Sequence, residues 1–190
     1  MRNVELVSAL DGSNDFLTKL EADSGVNVLD CYQCGKCSAG CPLNRAMDYT
    51  PHKIMRFLQL GLEEKALSAE SIWVCIGCDI CYARCPKGVN VPKVMETLRI
   101  EARKRKKISV KSVEIFNSSF LWAVENFGRI PEALLIVLFN VKSGQLLKDV
   151  PLAPTLLLNG KVHVFPKRAK GQKIAKKIFE NCRQLGGGLE

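Results

Sequence analysis

Eight of the nine cysteines fall into two runs of one pattern. Cys31, Cys34, Cys37 and Cys41 are followed by Pro42, and Cys75, Cys78, Cys81 and Cys85 by Pro86. Both runs read C-x2-C-x2-C-x3-C-P, and every matched position is offset by 44 residues. Three cysteines at x2 spacing wrap a short loop around one object with their sulfurs converging, and a cubane [4Fe–4S] cluster needs a fourth thiolate from another direction. Structural zinc is a poor fit, since four-cysteine zinc sites draw on two C-x2-C pairs separated by a dozen or more residues. Disulfides require an oxidising compartment, and a chain of 190 residues can bury a core without them.

In two-cluster ferredoxins the fourth cysteine of each such run ligates the other cluster, because x3-C-P carries the chain away from the first cube. The expected ligand sets are therefore crossed. Cluster 1 takes Cys31, Cys34, Cys37 and Cys85, and cluster 2 takes Cys75, Cys78, Cys81 and Cys41. The proline after each fourth cysteine turns the chain off the cluster. Gly35, Gly40 and Gly77 let backbone N–H groups approach the sulfurs. Cofactors are thus expected to be two [4Fe–4S] clusters.

The elements that position these loops read as helices. Thr50 and Pro51 open one that carries Ile54, Phe57 and Leu58 and ends at Gly61. A shorter piece covers about 62–67. Pro92 opens another, with Val94, Met95, Leu98 and Ala102 on one side, running into Arg103-Lys104-Arg105-Lys106-Lys107. Val113, Phe116, Phe120, Val124 and Phe127 form an apolar stripe that stops at Gly128. Residues from Pro131 to about Val141 make a further helix before Gly144. Residues 149–166 are punctuated by proline and glycine, with Asn159-Gly160 a turn or a helix end. A last amphipathic helix puts Ile174, Ile178, Cys182 and Leu185 on one face, where Cys182 is expected to be a buried free thiol. The ending from Gly186 to Glu190 is expected to fray. The chain is mostly α, divided into an acidic segment 1–24, a cluster domain 25–107 and a helical extension 108–190 for subunit docking.

Composition narrows the function classes. The net charge is +9, yet residues 1–30 hold six acids against Arg2 and Lys19, so the remainder is strongly basic. An oxidised cluster with its four thiolates carries about −2, so much of the basic excess is counter-charge, and a nucleic-acid partner is not expected. The run 103–107 is a solvated helix end suited to the macrodipole, or a docking patch for an acidic partner. The longest apolar run, Ala133 to Phe139, is too short to cross a bilayer. The start carries no secretory h-region, so the expected location is the cytoplasm. No nucleotide-binding glycine motif, haem motif or Ser/His/Asp constellation is present. His52 and His163 are read as structural, and Trp73 and Tyr32 as packing residues beside the ligand loops.

The first loop, Asp30-Cys31-Tyr32-Gln33-Cys34-Gly35-Lys36-Cys37-Ser38-Ala39-Gly40-Cys41-Pro42, resembles that of the HdrC family, the two-cluster ferredoxin-type subunits of heterodisulfide reductase. So does the second, from Ile72 to Pro86, and the similarity extends over residues 25–105. The resemblance implies an α-helical ferredoxin-like domain with a helical C-terminal extension. It further implies a non-catalytic electron-relay member of a soluble oxidoreductase complex, without a membrane span. Electrons would pass from HdrA, which bears flavin and clusters, to the catalytic HdrB, which reduces the coenzyme M–coenzyme B heterodisulfide or a related disulfide. HdrB is marked by a Cys-Cys-Gly run, which this chain lacks. Two other roles stand beside this one: a relay in bacterial or sulfur-oxidising relatives with another substrate, and a free-standing ferredoxin-type carrier.

Overall fold

A computed structural model describes residues 6–145 and 169–185. All regular structure among the described residues is helical, in agreement with the mostly α reading. The chain divides into two compact units, residues 1–110 and 111–190.

The first unit contains α1 (Leu6–Ser24), α2 (Lys36–Ala39), α3 (Pro51–Gln59), α4 (Glu63–Leu67), α5 (Ser71–Val74), α6 (Ile80–Ala83) and α7 (Val91–Lys104), with 3-10 turns at Val28–Asp30 and Asn44–Ala46. Its two longer helices after the first ligand loop open on the expected prolines, although Thr50 makes no side-chain capping bond and its hydroxyl meets His52 Nδ1 instead. Pro51 starts α3, and Asn90 caps α7 by accepting a hydrogen bond from the Lys93 N–H, with Pro92 in the first turn. Ile54, Met55, Leu58, Val94, Met95, Leu98 and Ala102 are almost wholly buried. They form one core with Phe16 and Leu20 of α1 and with Leu67, Ile72 and Trp73. Removing side chains of this size from water contributes about 1.5–3 kcal/mol each, which holds the short ligand helices that could not stand alone.

Helix α1 packs on α7, where the buried Glu101 carboxylate accepts from Lys19 Nζ at 3.1 Å and from Arg105 Nε at 2.9 Å. Burial disfavours the charged form of Glu101, but these two cations outweigh it and hold the carboxyl below its usual range. Arg105 also pairs with Glu63 and lies over the Phe16 ring, and Lys107 pairs with Glu64. The basic run is thus tied in part to acids of its own unit.

The second unit contains α8 (Lys111–Phe127), α9 (Glu132–Ser143) and α10 (Gln172–Gln184), with α8 packed against both others. Gly128 and Gly144 end α8 and α9 at φ +67° and +72°, as their positions suggested. Arg183 Nη2 pairs with both oxygens of Glu125, at 2.6 and 2.7 Å. The most buried residues of α8 are the small Ser119 and Ala123, and Phe116 of the apolar stripe, 43% exposed, meets the Phe139 ring of α9 edge-on at 6.0 Å. One expectation fails here. The apolar face of α10 is open, with Ile174, Ile178 and Leu185 exposed, and Cys182 is exposed rather than buried. Helical spacing shows that a face is apolar and not whether another element covers it. The readings of 149–166, Asn159-Gly160, His163 and the tail from Gly186 lie outside the described residues.

Candidate iron–sulfur site

The two ligand loops repeat in backbone as well as in sequence. Helices α2 and α6 begin 44 residues apart, and so do their flanking residues. Gln33 and Gly35 flank Cys34 at φ +64° and +76°, and Gly77 and Asp79 flank Cys78 at φ +63° and +58°. Each loop therefore makes the same left-handed, ordinary, left-handed sequence around its middle cysteine. Glycine stands at the second left-handed position of one loop and the first of the other, leaving Gln33 and Asp79 in a conformation that L residues rarely adopt. The hydrogen bonds that turn the chain toward the fourth cysteine also match. Cys41 N donates to Ser38 O at 3.2 Å and Cys85 N to Tyr82 O at 3.0 Å.

None of the eight cysteines is in a disulfide. A cavity is lined by Cys75, Cys78 and Cys81 of the second run together with Cys41 of the first. Its walls include Pro42, Leu43, Met47, Ile76, Ile80 and Met95, so the sulfurs sit in apolar surroundings. Burial pushes the Cys81 thiol up to about 12, with the neighbouring Cys75 and Cys37 acting in the same direction. Burial likewise raises Cys37, near Cys31 and Cys34. Cys34 is exposed and lowered, first by the backbone N–H of Lys36 and further by the Tyr32 hydroxyl, which also lies near Cys85. Four soft sulfur donors around an apolar cavity fit an iron–sulfur cluster, which binds thiolates and is stabilised by restricted solvent access. Loading such a site must release the thiol protons. Among the described residues no three His, Cys, Asp or Glu side chains meet at a single-ion site.

Several positioning residues are not marked by the cysteine pattern. Gln33 Nε2 lies 3.5 Å from Cys31 Sγ and 3.2 Å from Gln59 Oε1, while Gln59 Nε2 donates to the Cys31 carbonyl at 2.7 Å. Arg99 makes the corresponding contact on the second loop, with Nη2 donating to the Cys75 carbonyl at 2.7 Å. The Val89 N–H donates to Cys85 Sγ at 3.3 Å. Asp48 ties the segment after the first loop to the start of α5, which leads into the second. Its Oδ1 accepts from the Tyr49 and Ser71 N–H groups at 2.8 and 2.9 Å and from the Ser71 hydroxyl, and Oδ2 accepts from the Glu70 N–H at 3.0 Å. Burial works against the Asp48 charge, but these bonds outweigh it and lower its pKa. The sequence offers one faint signal for the carbonyl clamps: Gln59 and Arg99 follow the helix-opening prolines Pro51 and Pro92 at nearly equal distances.

Gly40 also leaves steric room. A Cβ there would lie 2.8 Å from Arg84 Nε, so the glycine clears the path of the side chain standing at its own repeat position. His52 Nδ1 is 2.7 Å from Ser38 Oγ and 3.1 Å from Thr50 Oγ1, next to the buried Cys37. Trp73 belongs to the core, whereas Tyr32 is 58% exposed.

Residues 30–90 match the family model described as a 4Fe-4S dicluster domain, and the cofactors are two [4Fe–4S] clusters. The chain is 37% identical over 103 residues to HdrC, the iron-sulfur subunit of the CoB–CoM heterodisulfide reductase, from Methanopyrus kandleri, covering 50% of this chain and 54% of that one. It is 43% identical over 73 residues to an HdrC of the same description from Methanocaldococcus jannaschii, covering 38% and 39%. An HdrC-like protein of Archaeoglobus profundus is 36% identical over 73 residues, again covering 38% and 39%. The chain spans about half or less of the length of these relatives. The similarity to HdrC read from the ligand loops is borne out over the cluster-bearing segment. No described helix is long and apolar enough to cross a membrane.

Proposed function

We propose that this chain is the electron relay of a heterodisulfide-reductase-like complex in the cytoplasm, holding cluster 1 with Cys31, Cys34, Cys37 and Cys85 and cluster 2 with Cys75, Cys78, Cys81 and Cys41. Each cluster, when bound, takes up and gives back one electron. The residues of the chain supply the rest. Eight thiolates fix the two sites side by side, and crossed ligation makes each site depend on the other loop. Apolar residues such as Met47 and Met95 keep water from the second site. Cys34 and Cys78 are exposed, with Tyr32 beside the first and Ile76 lining the cavity of the second, so each site has an apolar edge that a partner's cofactor can approach.

The observation that supports this reading most is the grouping of Cys41 with Cys75, Cys78 and Cys81 around one cavity. Lasting partners, HdrA with its flavin and clusters and the catalytic HdrB, are favoured over a free carrier by the exposed apolar residues of the second unit, among them Phe116, Trp122, Val137, Val141 and Ile174. The chain itself makes and breaks no substrate bond in this reading. HdrB reduces the coenzyme M–coenzyme B heterodisulfide or a related disulfide.

The test is anaerobic isolation from the native cell. The chain is expected to copurify with a flavoprotein and a cysteine-rich catalytic protein, whereas a carrier would run as a small monomer. In the assembled complex Cys34→Ser is expected to stop disulfide reduction by reduced donor while leaving the flavin of HdrA in place. Undiminished turnover by that variant would end the relay reading.

A further inference from the structure

The two ligand loops are clamped at the same two carbonyls by side chains of different charge. On the first loop, Gln59 Nε2 donates to the carbonyls of Val28 at 3.1 Å and Cys31 at 2.7 Å. On the second, Arg99 donates from Nε to Ile72 O at 2.8 Å and from Nη2 to Cys75 O at 2.7 Å. Ile72 and Cys75 stand 44 residues after Val28 and Cys31, and each clamp comes from the helix that a proline opens. The geometry is duplicated while the charge is not. Gln59 is a neutral amide, and Arg99 carries a guanidinium cation.

An electron added to a cluster makes its surroundings more negative, so a cation held beside a ligand's backbone stabilises the reduced form. A neutral clamp of the same shape does not. Other charges near the loops are less well placed to act. Arg56, whose Nη1 donates to Gln59 Oε1 at 3.3 Å, Lys36 beside Cys34 and Asp79 beside Cys78 are all exposed, where water and salt screen them. Arg99 is partly buried and anchored at both ends of its fork by charge-assisted hydrogen bonds.

We propose that Arg99 is a potential-setting residue: its charge raises the reduction potential of the cluster held by Cys41, Cys75, Cys78 and Cys81, while Gln59 supplies the other site with the clamp alone. The consequence is a bias in where a single electron rests, built into the chain independently of any partner. This rests on the crossed ligand sets proposed above, and the test separates the two.

The intact chain is prepared anaerobically, its iron content is measured, and the clusters are titrated with reductant while electron paramagnetic resonance follows each step. Arg99→Gln copies the neutral clamp. One of the two steps is expected to shift to lower potential, with about a tenfold fall in the ratio of reduced to oxidised cluster at fixed potential, or about 59 mV for one electron. The other step is expected to stay. Arg99→Lys keeps the charge and is expected to hold the potential near its original value. A fully loaded Arg99→Gln protein in which neither step moves, or both move together, overturns the proposal. So does an Arg99→Lys shift as large as that of Arg99→Gln, because the fork and not the charge would then be responsible. If Arg99→Gln fails to load iron, Gln59→Lys decides: raising the other step supports the proposal, and leaving both unchanged overturns it. Failure of the unmodified chain to load two clusters overturns the ligand reading instead.

Discussion

Crossed ligation makes a prediction about pairs of substitutions that local ligation reverses. Cys41 belongs by sequence to the first run, yet it lines a cavity with Cys75, Cys78 and Cys81. If that cavity is a cluster site, Cys41→Ala and Cys78→Ala remove ligands of the same cluster. Two clusters hold about eight irons, so each single variant retains about four. The double variant Cys41→Ala with Cys78→Ala also retains about four, since both changes strike one site. Cys34→Ala with Cys41→Ala strikes both sites and leaves essentially none. If each run served its own cluster the double variants would exchange results: the pair within the first run would retain about four irons and the mixed pair none. Iron and sulfide content of anaerobically reconstituted protein, with cluster absorbance as a second readout, separates the schemes without knowing which cluster gives which signal. About four irons in the Cys34→Ala, Cys41→Ala protein would refute crossed ligation. Helical content, compared across all variants, shows whether a loss is local to the site or reflects failure to fold.

Four further outcomes are expected. Asp48→Ala leaves the buried Ser71 hydroxyl and three backbone N–H groups without their carboxylate acceptor, and should cost about 2–3 kcal/mol in denaturant unfolding. The Asp48 carboxyl has a lowered pKa, so its stabilisation is complete above the unfolded value near pH 4 and is lost as pH falls through the folded one. The stability gap between the wild type and Asp48→Asn should therefore be full at pH 6 and narrow below about pH 4, and a gap that widens in acid would contradict the assignment. Gly128→Ala places a Cβ 2.8 Å from the Gln172 Cα at φ +67°, and should destabilise the second unit by about 1–2 kcal/mol or more without changing iron content. Cys182→Ser should leave both iron content and stability unchanged, because that thiol is exposed and belongs to neither cysteine run.

Helices α3, α7, α8 and α9 were legible because their signals are local. Prolines at the starts of α3 and α7, glycines past the ends of α8 and α9, and apolar spacing along α3 and α7 act within a turn or two of chain. The face of α10 was misread because coverage by a neighbour is not a local property. Ile174 and Ile178 sit at core-like spacing and remain exposed. Phe116, in the apolar stripe of α8, stays partly exposed while its ring meets Phe139 of α9, and the most buried positions of that helix go to the small Ser119 and Ala123.

The sequence alone determined the chemistry of this protein. Eight thiols in two runs of one spacing are enough to specify soft-metal ligation in duplicate, because the spacing itself decides which sulfurs one loop can converge. The same repeat pointed to matched loops, which the backbone carries down to the left-handed residues around Cys34 and Cys78. What only the tertiary structure decided is the setting of those sulfurs. That Gln59 and Arg99 grip equivalent carbonyls, that Asp48 ties one loop to the other, and that Gly40 makes room for Arg84 depend on residues brought together across 22 to 44 positions of chain. Such contacts leave no periodic trace, since a hydrogen bond needs two groups at one point in space and places no constraint on the residues between them.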